Sequence, residues 1–162
     1  MKNLLIIFII ITVLGCDKSD NLNEREYNSI IDVSLAFSVL NSQNEDLLNP
    51  ENPNHLDVTK IKLFYVIDGE MKEVYNTRMD NPRNFLIYEH QNEYRIGVSL
   101  NLTETSEKPI TYIQWNDTDT DTIEVTIKRT PSSTIGDEIW LNGIHVWEMG
   151  DGTIDPYFVL RK

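Results

Sequence analysis

Residues 116–122 read Asn-Asp-Thr-Asp-Thr-Asp-Thr, which sets Asp117, Asp119 and Asp121 at alternate positions. Carboxylates are hard oxygen donors, and three of them gathered by one loop can hold calcium. An EF-hand loop beginning at Asp117 would want glycine at 122 and a bidentate acid at 128, yet Thr122 and Lys128 stand there. Calcium would therefore need an irregular loop, and a solvated hairpin tip is the favoured expectation. His55, His90 and His145 fall in a loop, a turn and a strand with no metal-ligand spacing between them, so each is expected to be an ordinary side chain. The chain has no Gly-x-Ser-x-Gly, no phosphate-binding glycine loop and no His-Glu-x-x-His. Acidic residues are plentiful, but hydrolysis by a carboxylate pair depends on their separation in space, so abundance alone does not argue for it. Aromatics remain: Trp115, Trp140 and Trp147 are candidates to stack sugar rings. Trp147 shares the parity of His145, which places it on an outer face, and Trp140 and Trp147 are the expected ligand-binding pair against a competing reading as core.

The elements that must position these residues are strands. From Ile31 the apolar positions Ile31, Val33, Leu35, Phe37 and Val39 alternate with mostly polar ones, the period of a strand with one buried face. Residues 49–54, with two prolines, predict a loop. Residues 60–67 and 71–75 flank Asp68-Gly69, a strong hairpin signal because glycine accepts the positive φ of a tight turn. A second hairpin is predicted from residues 84–89 and 94–102, with Tyr94, Ile96, Val98, Leu100 and Leu102 on one face and the return strand central in its sheet. Residues 110–115 and 123–128 bracket the Asp-rich turn, Asn142-Gly143 joins residues 139–141 to 144–147, and residues 157–160 form a last strand. No useful helical period follows residue 15. The pattern predicts an all-β fold, an antiparallel β-sandwich of immunoglobulin-like or transthyretin-like shape.

The N-terminus follows a different logic. Lys2 precedes an apolar run over residues 4–14 that only Thr12 interrupts, and Gly15 adjoins Cys16. This is the layout of a secretory signal peptide, and its apolar run is shorter than the roughly 20 residues that a membrane-spanning helix needs. Val13-Leu14-Gly15-Cys16 resembles the lipobox of bacterial lipoproteins, which implies cleavage before Cys16 and lipidation of its sulfur and amino group. Stable anchoring takes more than one acyl chain, which the family's diacylglycerol plus fatty acid supplies. Asp17 and Asp20 around Lys18 resemble the export signal of surface lipoproteins in Bacteroidetes. The whole chain, with its segment 41–50, is similar to small uncharacterised lipoproteins of that phylum. That resemblance implies an outer-membrane, envelope or cell-surface address and no known activity. Asp121-Thr122-Ile123 resembles the O-glycosylation sequon of the same bacteria, which implies a glycan on Thr122.

The expected organisation is a signal over residues 1–15, an acidic tether over 16–27 and one sandwich domain over 28–162. Without Lys2, 13 basic side chains face 26 acidic ones, a balance of −13 that repels phosphate backbones, so nucleic acid is not an expected partner. With its sole thiol committed to lipid, the domain must stand on packing alone. The expected function is a membrane-anchored, non-enzymatic binding or structural module that needs no cofactor. A glycan-binding accessory of a nutrient-uptake system comes second, and an envelope hydrolase third. The expected partners are the membrane, through the anchor, and a glycan or envelope protein.

Overall fold

The alternation that starts at Ile31 does form strands, but the chain changes sheets in the middle of it. The computed structural model describes residues 29–103, 106–152 and 156–162. Ile30–Asp32 (β1) and Ser34–Leu40 (β2) are separated at Val33, whose carbonyl accepts a bond from the Leu100 amide at 2.9 Å. Val33 is buried while Ile31, expected on the same inner face, is 63% exposed. One sequence period thus feeds two sheets, and parity is not carried across the crossing.

The remaining strands are Lys62–Ile67 (β3), Glu70–Glu73 (β4), Phe85–His90 (β5), Glu93–Ser99 (β6), Ile110–Asn116 (β7), Asp119–Thr130 (β8), Ser133–Leu141 (β9), Ile144–Glu148 (β10) and Tyr157–Arg161 (β11). The larger sheet runs β1-β9-β8-β7-β3-β4, with β10 also on β9, and the smaller runs β11-β2-β6-β5. The fold is all-β, and the helical content of the described residues is one 3-10 turn, Val58–Lys60. The strands of the predicted hairpins pair with each other, but the turns expected over residues 90–93 and 116–122 shorten to Gln91-Asn92 and Asp117-Thr118. Asp68 and Gly69 (φ 55° and 77°) and Asn142 and Gly143 (φ 50° and 78°) make two-residue turns with both φ positive, the geometry that matches strand twist.

Two pairings depart from the antiparallel expectation: β1 lies parallel to β9, and β11 lies parallel to β2. Both involve a terminal strand laid on a sheet from far along the chain, a register that no hairpin signal encodes. The sheets face each other as a sandwich. Leu35, Phe37, Val39, Ile96 and Val98 of the smaller sheet meet Leu63, Ile113, Trp115, Ile123, Val125 and Ile139 of the larger. Phe37 stacks on Phe158 with centroids 4.8 Å apart and meets Trp115 edge-on at 6.1 Å. β6 is central, as predicted, but ends at Ser99, and Leu102 beyond it is 38% exposed rather than inward.

The connection after β2 is ordered by Asn and Asp side chains that bond the backbone two residues on. Asn41, Asp46, Asn49 and Asn52 accept from the amides of Gln43, Leu48, Glu51 and Asn54. Asp46 also accepts from the Tyr94 amide on β6, and Leu47 and Leu48 are buried against the core. The segment closes one end of the sandwich.

Candidate functional site

The outer face of the smaller sheet carries side chains of very uneven size. Opposed residues of paired strands share a face, so Leu86, Gly97, Ala36 and Tyr157 form one row across β5, β6, β2 and β11. The two central members are the small ones. Flanked by Tyr88 and Leu86 on β5 and by Tyr157 on β11, they form the floor of a groove of about 790 Å³. That volume lies in the usual range for small-ligand sites, roughly 300–1,000 Å³. Three inter-strand steps separate the flanking strands, a span of about 14 Å between backbones. Ser34 and Ser99, paired directly opposite one another, continue the floor, and Arg78 and Met79 from the β4–β5 connection add to the lining.

Gly97 gives the clearest sign that this space is kept open. It has ordinary extended backbone, so no turn or positive φ calls for glycine there. A Cβ built on it would lie 3.5 Å from Tyr88 Cε1 and 3.9 Å from the Leu86 carbonyl oxygen, ordinary van der Waals contacts. Glycine weakens a strand interior because it adds chain entropy and packs nothing. What it supplies here is room.

Arg95 and Tyr157, which line the groove, belong to a hydrogen-bonded polar cluster with Glu93 and Ser38. Glu93 Oε1 receives Arg95 Nε and Nη2, each at 2.6 Å, while Glu93 Oε2 receives Ser38 Oγ at 2.9 Å and Tyr157 Oη at 3.0 Å. The Arg95 guanidinium lies 4.0 Å from the centre of the Tyr157 ring. Burial pulls the Glu93 carboxyl up, but bonds from Arg95, Ser38 and Tyr157 outweigh it and hold the group below its ordinary value. Burial, together with Glu93, raises the Tyr157 phenol. Glu93 is therefore a saturated anion and Tyr157 a neutral phenol. With Nε and Nη2 turned to Glu93, the Nη1 hydrogens of Arg95 keep donor capacity while its charge is balanced.

The sequence-derived candidates lie elsewhere. Asp119 and Asp121 are strand residues of β8, not parts of a loop tip, and the turn is only Asp117-Thr118. Asp121 is buried, 6% exposed, and accepts from Trp115 Nε1 at 2.7 Å, Asn142 Nδ2 at 2.7 Å and Lys162 Nζ at 2.6 Å. Lys162 Nζ also reaches Asp119 at 2.7 Å, so an ammonium already sits between the two carboxylates where a cation would go. Among the described residues no group of three His, Cys, Asp or Glu side chains converges to hold a metal. Thr122 lies half-buried within β8 opposite Tyr112, its backbone tied to Asn142 on both sides. Cys16 lies outside the described residues.

The expected outer-face position of Trp147 is wrong. It is 5% exposed, and a bulge explains the error: His145 opposes Trp140, but the register then slips and Trp147 opposes Ile139 on the core side. Trp115 is also buried. Trp140 stays on the outer face, where Lys108 Nζ lies 3.4 Å from its ring centre and His145 packs on its edge. The tryptophans make no shared platform. The groove residues escaped notice in the sequence because they sit singly on four strands. The one available signal was Gly97 inside an otherwise regular alternation.

No family model, curated protein or solved structure matches the chain.

Proposed function

We propose that the protein is a lipid-anchored, non-enzymatic binding module of a bacterial cell envelope that holds its ligand in the groove over Ala36 and Gly97. The observation that carries this reading is the bare floor at Gly97, where a Cβ would make only ordinary contacts with Tyr88 and the Leu86 carbonyl oxygen and no positive φ demands glycine. Binding is favoured over turnover because both oxygens of Glu93, the carboxylate behind Arg95 and Tyr157, are already engaged by Arg95, Ser38 and Tyr157. The address rests on residues 4–20, whose apolar run, Gly15-Cys16 and acidic sequel resemble an exported lipoprotein of the outer membrane or cell surface.

Metabolic labelling with a fatty-acid analogue tests the address: wild type should carry label and Cys16→Ala should not, and equal label in both defeats the anchor. The groove is tested by passing envelope extract and spent growth medium over immobilised wild-type and Gly97→Leu domains. Equal retention by the two proteins would defeat it as the binding site.

A further inference from the structure

Resting on the reading of the groove as a binding site, we infer that its ligand is a neutral saccharide chain. The floor belongs to the face of a sheet, and the backbone groups of β2 and β6 are taken up in ladders with their neighbours. An extended peptide that binds by adding a strand needs a free edge, which this floor does not offer. The groove presents side-chain donors and acceptors instead: the Ser99 hydroxyl, the Ser34 hydroxyl as an acceptor because its proton goes to Asp32, the Asn84 amide with one N–H given to Tyr65, and the remaining N–H groups of Arg95.

Charge in the groove is balanced rather than cationic. Arg95 is neutralised by Glu93, and Arg78 shares the groove lining with the carboxylates of Asp32 and Asp80. A polyanion gains nothing from such a site, whereas a hydroxylated neutral ligand can bond the groups that remain open without needing a counter-charge. Tyr88 and Tyr157 stand on opposite banks and offer ring surface for the apolar faces of sugar rings. The Glu93 and Ser38 bonds and the Arg95 stack fix Tyr157 before any ligand arrives, so little order is lost on binding.

The experiment is calorimetric titration of the domain with short neutral oligosaccharides of glucose, mannose, xylose and N-acetylglucosamine. Oligogalacturonides and the peptides of a casein digest serve as the acidic and peptide arms. The expected result is heat from at least one neutral series, reduced at least about tenfold in affinity by Gly97→Leu and by Tyr88→Ala. Trp140→Ala, on the other sheet, should leave the affinity unchanged, and melting temperatures will show that every variant is folded. If the acidic or peptide arm binds in a Gly97→Leu-sensitive way and no neutral sugar does, the saccharide is refuted while the groove stands. Heat unaffected by Gly97→Leu, or no heat from any arm, overturns the saccharide.

Discussion

Replacing Lys162 with methionine tests what holds the C-terminal strand in place. β11 lies parallel on β2 with no hairpin to bring it there, and its end is tied by Lys162 Nζ to Asp121 at 2.6 Å and Asp119 at 2.7 Å. The Lys162 and Asp121 side chains are 16% and 9% exposed, Asp119 36%. Exposed pairs contribute about 0–1 kcal/mol, whereas breaking a buried pair costs about 3–5 kcal/mol. This arrangement lies nearer the buried limit but keeps two other donors on Asp121, which puts Lys162→Met at about 2–4 kcal/mol. For a domain of this size that is a fall in melting temperature of roughly 7–14 °C. Asp121→Asn should cost a similar amount, because its amide would meet the donors of Asn142 and Lys162. In the double variant the losses should overlap by about 2 kcal/mol. The pH dependence has a fixed sign. Burial pulls Asp121 up, but bonds from Asn142, Lys162 and Trp115 together with the Lys162 charge bring its folded pKa below the ordinary value. Its contribution is therefore complete above the unfolded value of about 3.9 and disappears as pH falls through the lower folded value. Thermal melts from neutral pH down into the acid range should show wild type losing this increment and Asp121→Asn losing none of it. A Lys162→Met shift of less than about 2 °C, with additive losses in the cycle, would show the ammonium to be a solvated surface charge and refute the account.

Trp147→Ala should destabilise the domain by about 3–5 kcal/mol, as the loss of a large core side chain does, and denaturant unfolding will measure it. A cost under about 1 kcal/mol would mean that the β10 bulge does not turn the ring inward. Adding millimolar calcium should leave the melting temperature of wild type unchanged, because the Lys162 ammonium already occupies the place between Asp119 and Asp121. A rise that Asp119→Asn abolishes would restore the Asp-rich segment as a metal site.

The alternation of Leu35, Phe37, Val39, Ile96, Val98, Ile123 and Val125 was enough to place an all-β core, because side chains alternate between the faces of a strand by geometry alone. Asp68-Gly69 and Asn142-Gly143 were equally legible, since few residues tolerate two successive positive φ angles. The sequence by itself therefore determined the class of fold, the local hairpins and most of the inward-facing residues. The proposed lipid anchor rests on the sequence alone, on Val13-Leu14-Gly15-Cys16.

Parity over longer stretches was decided elsewhere. Val33 shifts the chain from one sheet to the other, and the bulge before Trp147 moves that ring from the face of His145 to that of Ile139. Both events are single-residue changes of register that depend on the partner strand, so counting along one strand cannot reveal them. The same holds for Asp121, whose polar neighbours suggested a solvated turn until Trp115, Asn142 and Lys162 closed around it. The groove is the fullest case. Ala36, Gly97, Tyr88 and Tyr157 lie on four strands, and only the order β11-β2-β6-β5 sets two small residues between two large ones. Strand order is a long-range outcome of packing, and a site made by strand order exists only in the tertiary structure.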